Sequence, residues 1–298
     1  MTDRKQPAGQ CPVCGSKDLR TLYDDTLGND LPPFDYAFSP EHMRTYEVVR
    51  CNTCSHAFCI LPADDIWKNY QSVVDAEYLS REEAHLLTAE KVVETMQRYI
   101  PSGILLDVGC ATGDFLAVAK SRYAVEGLEL SQWSSDIAKK RGFTIHTCTL
   151  SEIPPEKKYD IVTLFGVIEH FESPAQEIAR ISRLVRPGGY VFIWTGDIDS
   201  WLARLLGRKW WYIQGQHIQF FSRTSLDRVF SDVGFVPVAC ERYPFTTSLG
   251  SLSKSAFRYR ILRPVARLFL DNRIARNRVI TLRLPGEMLA VYRRAGHS

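Results

Sequence analysis

Two pairs of cysteines near the start of the chain have the spacing of a metal site. Two residues separate the thiols within each pair, and a turn of that length brings both sulfur atoms to one tetrahedral zinc ion. Residues 46–49, just before the second pair, predict a strand, which suits a zinc ribbon. His56 and Cys59 follow closely and are alternative ligands. The preferred set leaves no coordination position open, so we expect a structural zinc ion held by Cys11, Cys14, Cys51 and Cys54.

A second group of residues combines glycines with acids. Residues 105–113, LLDVGCATG, predict a strand that turns into a helix, where glycines let the backbone pass close to a ligand. Nicotinamide enzymes share such a loop, but the carboxylate of Asp107 would repel a pyrophosphate and suits the cationic groups of S-adenosylmethionine. Glu129, about twenty residues further on, can accept hydrogen bonds from both ribose hydroxyls. The alternative is a tight structural turn with a surface glutamate. We predict a cofactor site made of Asp107, Gly109, Cys110, Gly113, Glu129, Leu130 and Phe165.

Residues 210–222, which follow the fifth predicted strand, contain the main candidate for catalysis. In a doubly wound sheet, ligands bind beyond the carboxyl ends of the strands, so this loop can meet a substrate. Methyl transfer aligns an acceptor atom with the methyl carbon and often removes its proton. His217, with an expected pKa near 6–7, is the candidate base. The alternative is a histidine that only holds the loop. Glu169 and His170, at the end of the fourth strand, are the next candidates.

The elements that must position these residues alternate between short β-rich runs and amphipathic helical runs from residue 103 onward, which is typical of a parallel sheet wrapped by helices. We predict strands at 104–108, 125–130, 144–147, 159–165, 190–195, 235–241 and 287–293. Helices are predicted after Gly113, after Gln132, and over residues 174–184 and 222–233, with residues 186–189 turning into the next strand. The fold class is therefore α/β.

The region from about residue 104 to 293 resembles the class I S-adenosylmethionine-dependent methyltransferases. Besides the glycine loop, the resemblance rests on residues 159–162 (YDIV), 165–170 (FGVIEH) and 184–189 (LVRPGG). Ala111 stands where that family usually has a middle glycine, and Thr149 or Leu150 where an aspartate often holds the adenine. The resemblance implies a Rossmann-like, seven-stranded sheet, S-adenosylmethionine as cofactor and methyl transfer as the reaction.

A narrower resemblance concerns the acceptor. A zinc module, a helical lid with tyrosines (Tyr70 and Tyr78) and a histidine before a Phe-Ser pair are similar to the sugar methyltransferases, which act on nucleotide-linked deoxysugars or in surface-glycan pathways. C-methylating members have a Glu-His pair at the position of residues 216–217, so Gln216 favours O-methylation of a hydroxyl. A sugar ring could stack on aromatic residues that are equally a loop core: Trp201, Trp210, Trp211 and Tyr212.

Changes in composition and hydrophobic periodicity along the chain predict three parts. Residues 1–62 form the zinc-ribbon module, residues 63–100 a helical linker or lid, and residues 101–298 the Rossmann-like domain with a basic helical insert at about 251–280. Basic residues recur between 254 and 294 among apolar ones. The preferred interpretation is a solvated amphipathic insert, and the alternative is a peripheral contact with a membrane or an acidic substrate.

Composition limits the partners. The net charge of +3 is too near balance to indicate a nucleic-acid partner, and the acidic residues before position 62 leave no basic stripe there. We see no signal peptide and no apolar run near the roughly 20 residues that span a bilayer, so we expect a cytoplasmic protein with a small-molecule or glycan acceptor. Two alternatives remain: an RNA methyltransferase that docks through the zinc ribbon, and a non-catalytic scaffold that binds S-adenosylmethionine.

Overall fold

The computed structural model describes residues 9–26, 44–61, 72, 74–256, 259–265, 267 and 277–296. Tyr70 and the greater part of the linker between residues 62 and 73 lie outside these ranges. The described strands are β1 (Leu19–Tyr23), β2 (Val48–Cys51), β3 (Ala57–Cys59), β4 (Ile104–Val108), β5 (Ala124–Leu128), β6 (Thr144–His146), β7 (Tyr159–Phe165), β8 (Val185–Gly196), β9 (Gln219–Phe220), β10 (Phe235–Arg242), β11 (Phe245–Ser248), β12 (Val279–Leu282) and β13 (Glu287–Arg294). The described helices are α1 (Ala76–Leu79), α2 (Glu82–Met96), α3 (Asp114–Ala119), α4 (Gln132–Lys140), α5 (Pro174–Leu184), α6 (Trp201–Leu206), α7 (Arg223–Ser231) and α8 (Leu249–Ala256).

The central sheet has seven strands in the order β10-β13-β8-β7-β4-β5-β6, which confirms the predicted α/β, Rossmann-like methyltransferase fold. Strands β4 to β8 run parallel, and β13 pairs antiparallel with both β8 and β10. Strand β4 is almost fully buried, as its sequence, apolar except for Asp107, predicts for a parallel strand covered on both faces. The chain order reverses at β4, with β5 on one side and β7 on the other, so a crevice opens beyond its carboxyl end.

The helices that flank this sheet begin where the sequence predicts. Ser131 caps α4 by accepting a hydrogen bond from the N–H of Ser134, and Ser222 caps α7. Helix α5 begins with Pro174, whose missing N–H costs nothing in the first turn. Residues 186–189, predicted to precede the strand, lie within β8 as an irregularity between the pairs Tyr159↔Val185 and Ile161↔Tyr190.

A second, four-stranded antiparallel sheet has the order β1-β2-β3-β9. Its first three strands carry the second cysteine pair, while β9 comes from the loop after β8, next to His217. The strand predicted at 46–49 begins two residues later, at Val48. This sheet therefore contains strands from both sides of the predicted boundary near residue 62.

The predicted basic insert is framed by a hairpin that the sequence analysis missed. Strands β11 and β12 pair antiparallel over four residues each and enclose α8 and a single helical turn at 260–262. Within the described ranges, no helix is both long and apolar enough to cross a membrane.

Candidate functional site

The four predicted metal ligands converge. Their Sγ atoms all lie within 4.8 Å of one another, with Cys11 3.5 Å from Cys54 and Cys14 3.6 Å from Cys51. Four sulfurs around one zinc ion at the usual bond length would be about 3.8 Å apart. The donor set and its spacing therefore fit a tetrahedral zinc ion without an open position.

The two knuckles that carry these thiols have the same local structure. The N–H of Gly15 donates to the carbonyl of Cys11, and the N–H of Ser55 donates to the carbonyl of Cys51, each at 2.9 Å. Both turn residues have positive φ, +72° at Gly15 and 62° at Ser55. A positive φ can be predicted from the sequence at Gly15 but not at Ser55. The second turn therefore holds a serine in a conformation that is strained for a residue other than glycine.

The pKa values differ among the thiols of the cluster. Burial raises the pKa of Cys14 to about 11, and the hydrogen bond with Cys11 raises the pKa of Cys54. Hydrogen bonds from the N–H groups of Cys54 and Thr53 and with the neighbouring thiols outweigh burial at Cys51 and lower its pKa to about 7. The alternative ligands point elsewhere: His56 Nε2 lies 2.9 Å from Gln219 Oε1, and Cys59 Sγ lies 3.6 Å from the carbonyl of His217.

The glycines of the loop after β4 are required by the protein itself. A Cβ at Gly109 would lie 2.5 Å from Val167 Cγ2, and one at Gly113 would lie 3.0 Å from Phe143 Cδ2. Both residues also have positive φ, +72° and +86°. The close approach that we expected toward a ligand is thus already present against neighbouring side chains.

Ala111 has a φ of 46°, the left-handed conformation that glycine adopts without cost. Its N–H donates to Glu129 Oε2 at 2.9 Å, which holds the strained turn in place. Alanine in place of the family's usual glycine therefore has a cost in backbone energy.

Asp107 lies in the wall of the crevice, with 3% of its surface exposed. Burial raises its pKa to about 7, although Thr163 Oγ1 donates a hydrogen bond to its Oδ1 at 2.6 Å. The nearby carboxylate of Glu129 adds to the increase. A cation in this crevice would stabilise the ionised form of both acids. S-adenosylmethionine carries such a positive charge.

Glu129 follows β5 directly and is held between two backbone segments. Its Oε1 accepts from the N–H of Ser131 at 2.7 Å, and its Oε2 accepts from Ala111 at 2.9 Å. Each carboxylate oxygen has a second lone pair, so two hydroxyl donors fit this fixed group. The carboxylate is thus a component of the loop as well as a candidate ribose ligand.

The other predicted cofactor residues line the same region. Cys110 is buried against Gly127, where a Cβ would lie 2.5 Å from its Sγ. Phe165 packs edge-on against Phe115 at 4.9 Å between ring centroids, and Leu130 is partly exposed beside Glu129. Gly127 was not among the predicted site residues, although an isolated glycine inside a strand indicates a close approach of another group.

On the acceptor side, Glu169 lies in a single helical turn directly after β7 and is 2% exposed. Its Oε1 accepts a hydrogen bond from the hydroxyl of Tyr212, and its Oε2 accepts from Thr195 Oγ1 at 3.1 Å. Burial raises its pKa to about 7, against the opposing effect of these two donors. A carboxyl group with this pKa can exchange a proton near neutral pH.

The two histidines adjoin this carboxylate but are already hydrogen-bonded. His217 Nδ1 lies 2.8 Å from the carbonyl of Tyr212, so this nitrogen carries the proton, and its Nε2 accepts from the Gln214 amide at 2.9 Å. His170 Nδ1 lies 2.8 Å from the carbonyl of Gln216. Burial lowers the pKa of His170 to about 4 and that of His217 well below 6.5. The expected pKa near 6–7 for His217 is therefore wrong, because the ring is buried beside a second imidazole; its catalytic role stays a prediction.

Glu169, His170 and His217 each bring one donor atom within 4.8 Å of the others. Both imidazoles bond a backbone carbonyl through Nδ1, which fixes the orientation of the two rings. The three residues that we proposed as catalytic are thus together in one place. The same donor set could hold a divalent cation or the polar groups of an acceptor.

Glu287 and Tyr243 connect the acceptor side with the cofactor side. The indole N–H groups of Trp194 and Trp211 donate to the two oxygens of Glu287, each at 2.9 Å. Burial raises the pKa of Tyr243, and the carboxylates of Glu287 and Asp107 raise it further. These residues are far apart in sequence, so no local signal could have identified them.

The ring of the lid residue Tyr78 packs against that of His85, with 4.3 Å between the centroids and an angle of 42° between the planes. His85 Nδ1 lies 2.9 Å from Asp114 Oδ2, and Arg141 Nη1 lies 2.6 Å from Asp114 Oδ1. Burial raises the pKa of Tyr78, and the charges of Asp114 and Asp107 add to it. Helices α1 and α2 are thus tied to the glycine loop beside the crevice.

The proposed aromatic cluster separates into two groups. Trp210 and Tyr212 are buried and stacked at 5.1 Å, and Trp211 bonds Glu287, so these three form loop core. Trp201 is 61% exposed and lies on α6 instead.

With this geometry in place, the class is defined: the chain belongs to the methyltransferase domain family, whose pattern matches residues 80–239, more than half of its 298 residues. The fold is that of the class I S-adenosylmethionine-dependent methyltransferases.

Individual relatives are more distant. The chain is 28% identical over 151 residues to a tRNA (carboxymethyluridine(34)-5-O)-methyltransferase of Mus musculus, covering 49% of this chain and 22% of that protein. It is 30% identical over 116 residues to a ubiquinone biosynthesis O-methyltransferase of Burkholderia vietnamiensis, covering 35% and 50%. The chain thus spans half or less of the length of these relatives. A solved S-adenosylmethionine-dependent methyltransferase of Archaeoglobus fulgidus shares the fold, with a TM-score of 0.52, 18% identity, and coverage of 74% of this chain and 100% of that one.

Proposed function

We propose that the protein transfers a methyl group from S-adenosylmethionine to a hydroxyl of a sugar, presented as a nucleotide-linked sugar or as a lipid-linked glycan. The observation that carries this proposal is the buried Glu169, whose pKa is raised to about 7 beside hydroxyl donors at the carboxyl end of the sheet. A hydroxyl acceptor needs such a base, because its oxygen is a poor nucleophile while protonated.

The roles of the residues follow from their contacts. S-adenosylmethionine, when bound, supplies an electrophilic methyl carbon on a positively charged sulfur. Asp107 would balance that positive charge, and Glu129 would accept hydrogen bonds from the ribose. Transfer of the methyl group to the acceptor oxygen would leave S-adenosylhomocysteine, and Glu169 would take the hydroxyl proton. Tyr212 and Thr195 hold the Glu169 carboxyl in position for this transfer.

His217 is less suited than Glu169 to act as the base. Its Nδ1 bears the proton bonded to Tyr212, and Gln214 must move before its Nε2 can accept another. We therefore propose that His217 and His170 orient the acceptor, while the four cysteines hold a structural zinc ion.

Oxygen as the acceptor atom has support from the relatives, since both are named as O-methyltransferases. The sugar itself has support from the resemblance of the zinc module, lid and residues 216–217. The tRNA relative favours RNA as a second candidate acceptor. Against it stands the charge balance of the chain, which lacks the surplus of basic residues typical of RNA-binding proteins.

The test is methyl uptake from labelled S-adenosylmethionine into nucleotide sugars, lipid-linked glycans and tRNA, followed by identification of the methylated atom. We expect an O-methyl sugar, and a turnover about 10²–10⁴-fold lower in Glu169→Gln. The exposed Glu90→Gln on α2 is the matched control and should keep wild-type turnover. The rate of the wild type should rise with pH through about 7, and His217→Ala should keep this rise. A methyl group on carbon, on nitrogen or on tRNA would overturn the proposal.

A further inference from the structure

Exposed apolar side chains are concentrated in two segments that lie side by side. Five of the ten exposed large apolar residues of the described chain belong to α6 or to residues 259–265: Trp201 (61%), Leu205 (72%), Ile261 (86%), Leu262 (44%) and Val265 (54%). The hydroxyl of Tyr259 donates to the carbonyl of Lys209 at 2.8 Å and so joins the two segments. We call residues 201–209, 259–265 and 267 together the α6–insert surface.

The same surface is basic. Its exposed cationic residues are Arg204, Arg208, Lys209, Arg263 and Arg267. Asp199, an acidic residue just before α6, forms ion pairs through its Oδ1 with Arg50 Nη2 at 2.5 Å and with Arg204 Nη2 at 3.5 Å. In the sequence, no acidic residue occurs between positions 242 and 270, while six basic residues do. A solvated helical insert would need the basic residues but not the exposed Ile261, Leu262 and Val265.

The topology places this surface at the edge of the sheet that holds the site. Strands β8 and β10 are both antiparallel to β13, so they run in the same direction as each other and as β7. Helix α6 follows the carboxyl end of β8, and the chain leaves the carboxyl end of β10 through β11 into the insert. Asp107, Glu129 and Glu169 lie at the carboxyl ends of β4, β5 and β7, at the same edge.

From these observations we propose that the α6–insert surface binds the face of an anionic lipid bilayer and turns the crevice toward it. Apolar side chains, including a tryptophan, enter the interface, and the surrounding arginines and lysine attract the negative headgroups. This is charge complementarity to one partner: a second copy of this chain would bring the same basic surface against itself. The contact is peripheral, since no described helix could cross a membrane.

The proposal concerns binding and stands apart from the identity of the methyl acceptor. If the acceptor is lipid-linked, as in one form of the proposed function, membrane binding brings the enzyme to its substrate and sets the distance of the crevice from the bilayer. A soluble analogue of the acceptor would then be methylated without any dependence on lipid.

The test uses the full chain and vesicles of phosphatidylcholine, with or without about 30 mol% phosphatidylglycerol. We expect co-sedimentation with the anionic vesicles only, weakened when the salt is raised from about 0.1 M to about 0.5 M. The pair Leu205→Ser and Ile261→Ser should weaken this binding about tenfold or more. The pair Val236→Ser and Val238→Ser is the matched control, because these residues are exposed by 49% and 43% on β10, and it should bind as the wild type does.

Two further readouts keep the test decisive. Cofactor affinity, measured by calorimetry, should be equal in all variants, which shows that the Leu205 and Ile261 variants are folded. Light scattering should give the same molar mass for the wild type and for the Leu205 and Ile261 variants, so that these substitutions do not dissociate a dimer. The proposal is overturned if the wild type does not bind anionic vesicles, if both variant pairs bind equally, or if the surface instead joins two copies of the chain. Loss of vesicle binding with full turnover on a soluble acceptor would leave the proposed function intact.

Discussion

The backbone N–H of Cys59 donates a 2.8 Å hydrogen bond to the carbonyl oxygen of Ile218, the residue next to His217. This bond extends the antiparallel pairing of β3 with β9, in which Ala57 lies opposite Phe220 and Phe58 opposite Gln219. The carbonyl of Glu169 accepts from the N–H of Ile218 at 3.0 Å, so the same residue contacts the cysteine-bearing sheet and the acceptor side. The N-terminal sheet is thus a support for the loop that carries His217.

Loss of the metal should therefore affect catalysis and not only the N-terminal sheet. We expect about one zinc ion per chain, and in Cys14→Ser a lower melting temperature and a turnover reduced about tenfold or more, since small displacements of a reacting group are costly. S-adenosylmethionine affinity should change little, because Asp107 and Glu129 lie in the other sheet. Metal analysis, calorimetry and acceptor KM measure these effects, with Cys148→Ser, outside the cluster, as the control. Zinc-free protein with full turnover would contradict the supporting role.

Glu169→Gln should stabilise the protein at alkaline pH while it removes activity. The folded-state pKa of Glu169 is about 7, above its ordinary value of 4.5. The free energy of unfolding therefore decreases as the pH rises through this interval. The uncharged glutamine avoids that loss, and we expect a gain of up to about 3 kcal/mol in the free energy of unfolding above pH 7. Denaturant unfolding of both proteins at acid and alkaline pH measures it. Equal stability of the two at alkaline pH would show that the carboxylate is better solvated than its surroundings imply.

The affinity for S-adenosylmethionine should depend on the ionisation of Asp107. Its pKa of about 7 in the free protein means that binding of a cationic ligand must displace a proton at lower pH. Affinity should therefore rise with pH, by about tenfold between pH 6 and pH 8 if the bound form stays ionised. Calorimetry should find this slope reduced in Asp107→Asn and retained in Asp136→Asn on α4, which lies outside the crevice loop. A slope unchanged in Asp107→Asn would assign the proton to another group.

Ala111→Gly should increase stability although it removes a side chain. The left-handed φ of 46° strains alanine but not glycine, and the hydrogen bond from this N–H to Glu129 is kept. We expect a gain of about 0.5–1 kcal/mol, after the larger chain entropy of glycine in the unfolded state is subtracted. Thermal unfolding checks this, and cofactor affinity should be preserved. A loss of stability would mean that the methyl group of Ala111 makes contacts worth more than the strain.

The main sheet was predictable because its signals are local. The strands β4 and β7 and the helix α5 have the predicted bounds, since apolar runs mark the strands and Pro174 marks the start of the helix. The cysteine spacing likewise predicted a cluster that the structure brings together.

What the sequence could not give depends on residues brought together from far apart. The contacts of Glu287 with Trp194 and Trp211, and the pairing of β9 with β3, follow from the tertiary fold and leave no periodicity behind. The expected pKa of His217 failed for the same reason, because burial beside His170 is a property of the folded chain.

The pairing of β3 with β9 also has a consequence for biosynthesis. About 160 residues separate Cys59 from Gln219, and a ribosome adding roughly 5–20 residues per second takes on the order of 10–30 s to make them. Throughout that interval the outer edge of β3 has no partner, which is the situation in which strands aggregate. All four cysteines are already made by then, so the proposed zinc ion can close the nascent ribbon before its last strand exists. Zinc supply during translation would then govern the yield of folded enzyme more strongly than zinc supply afterwards.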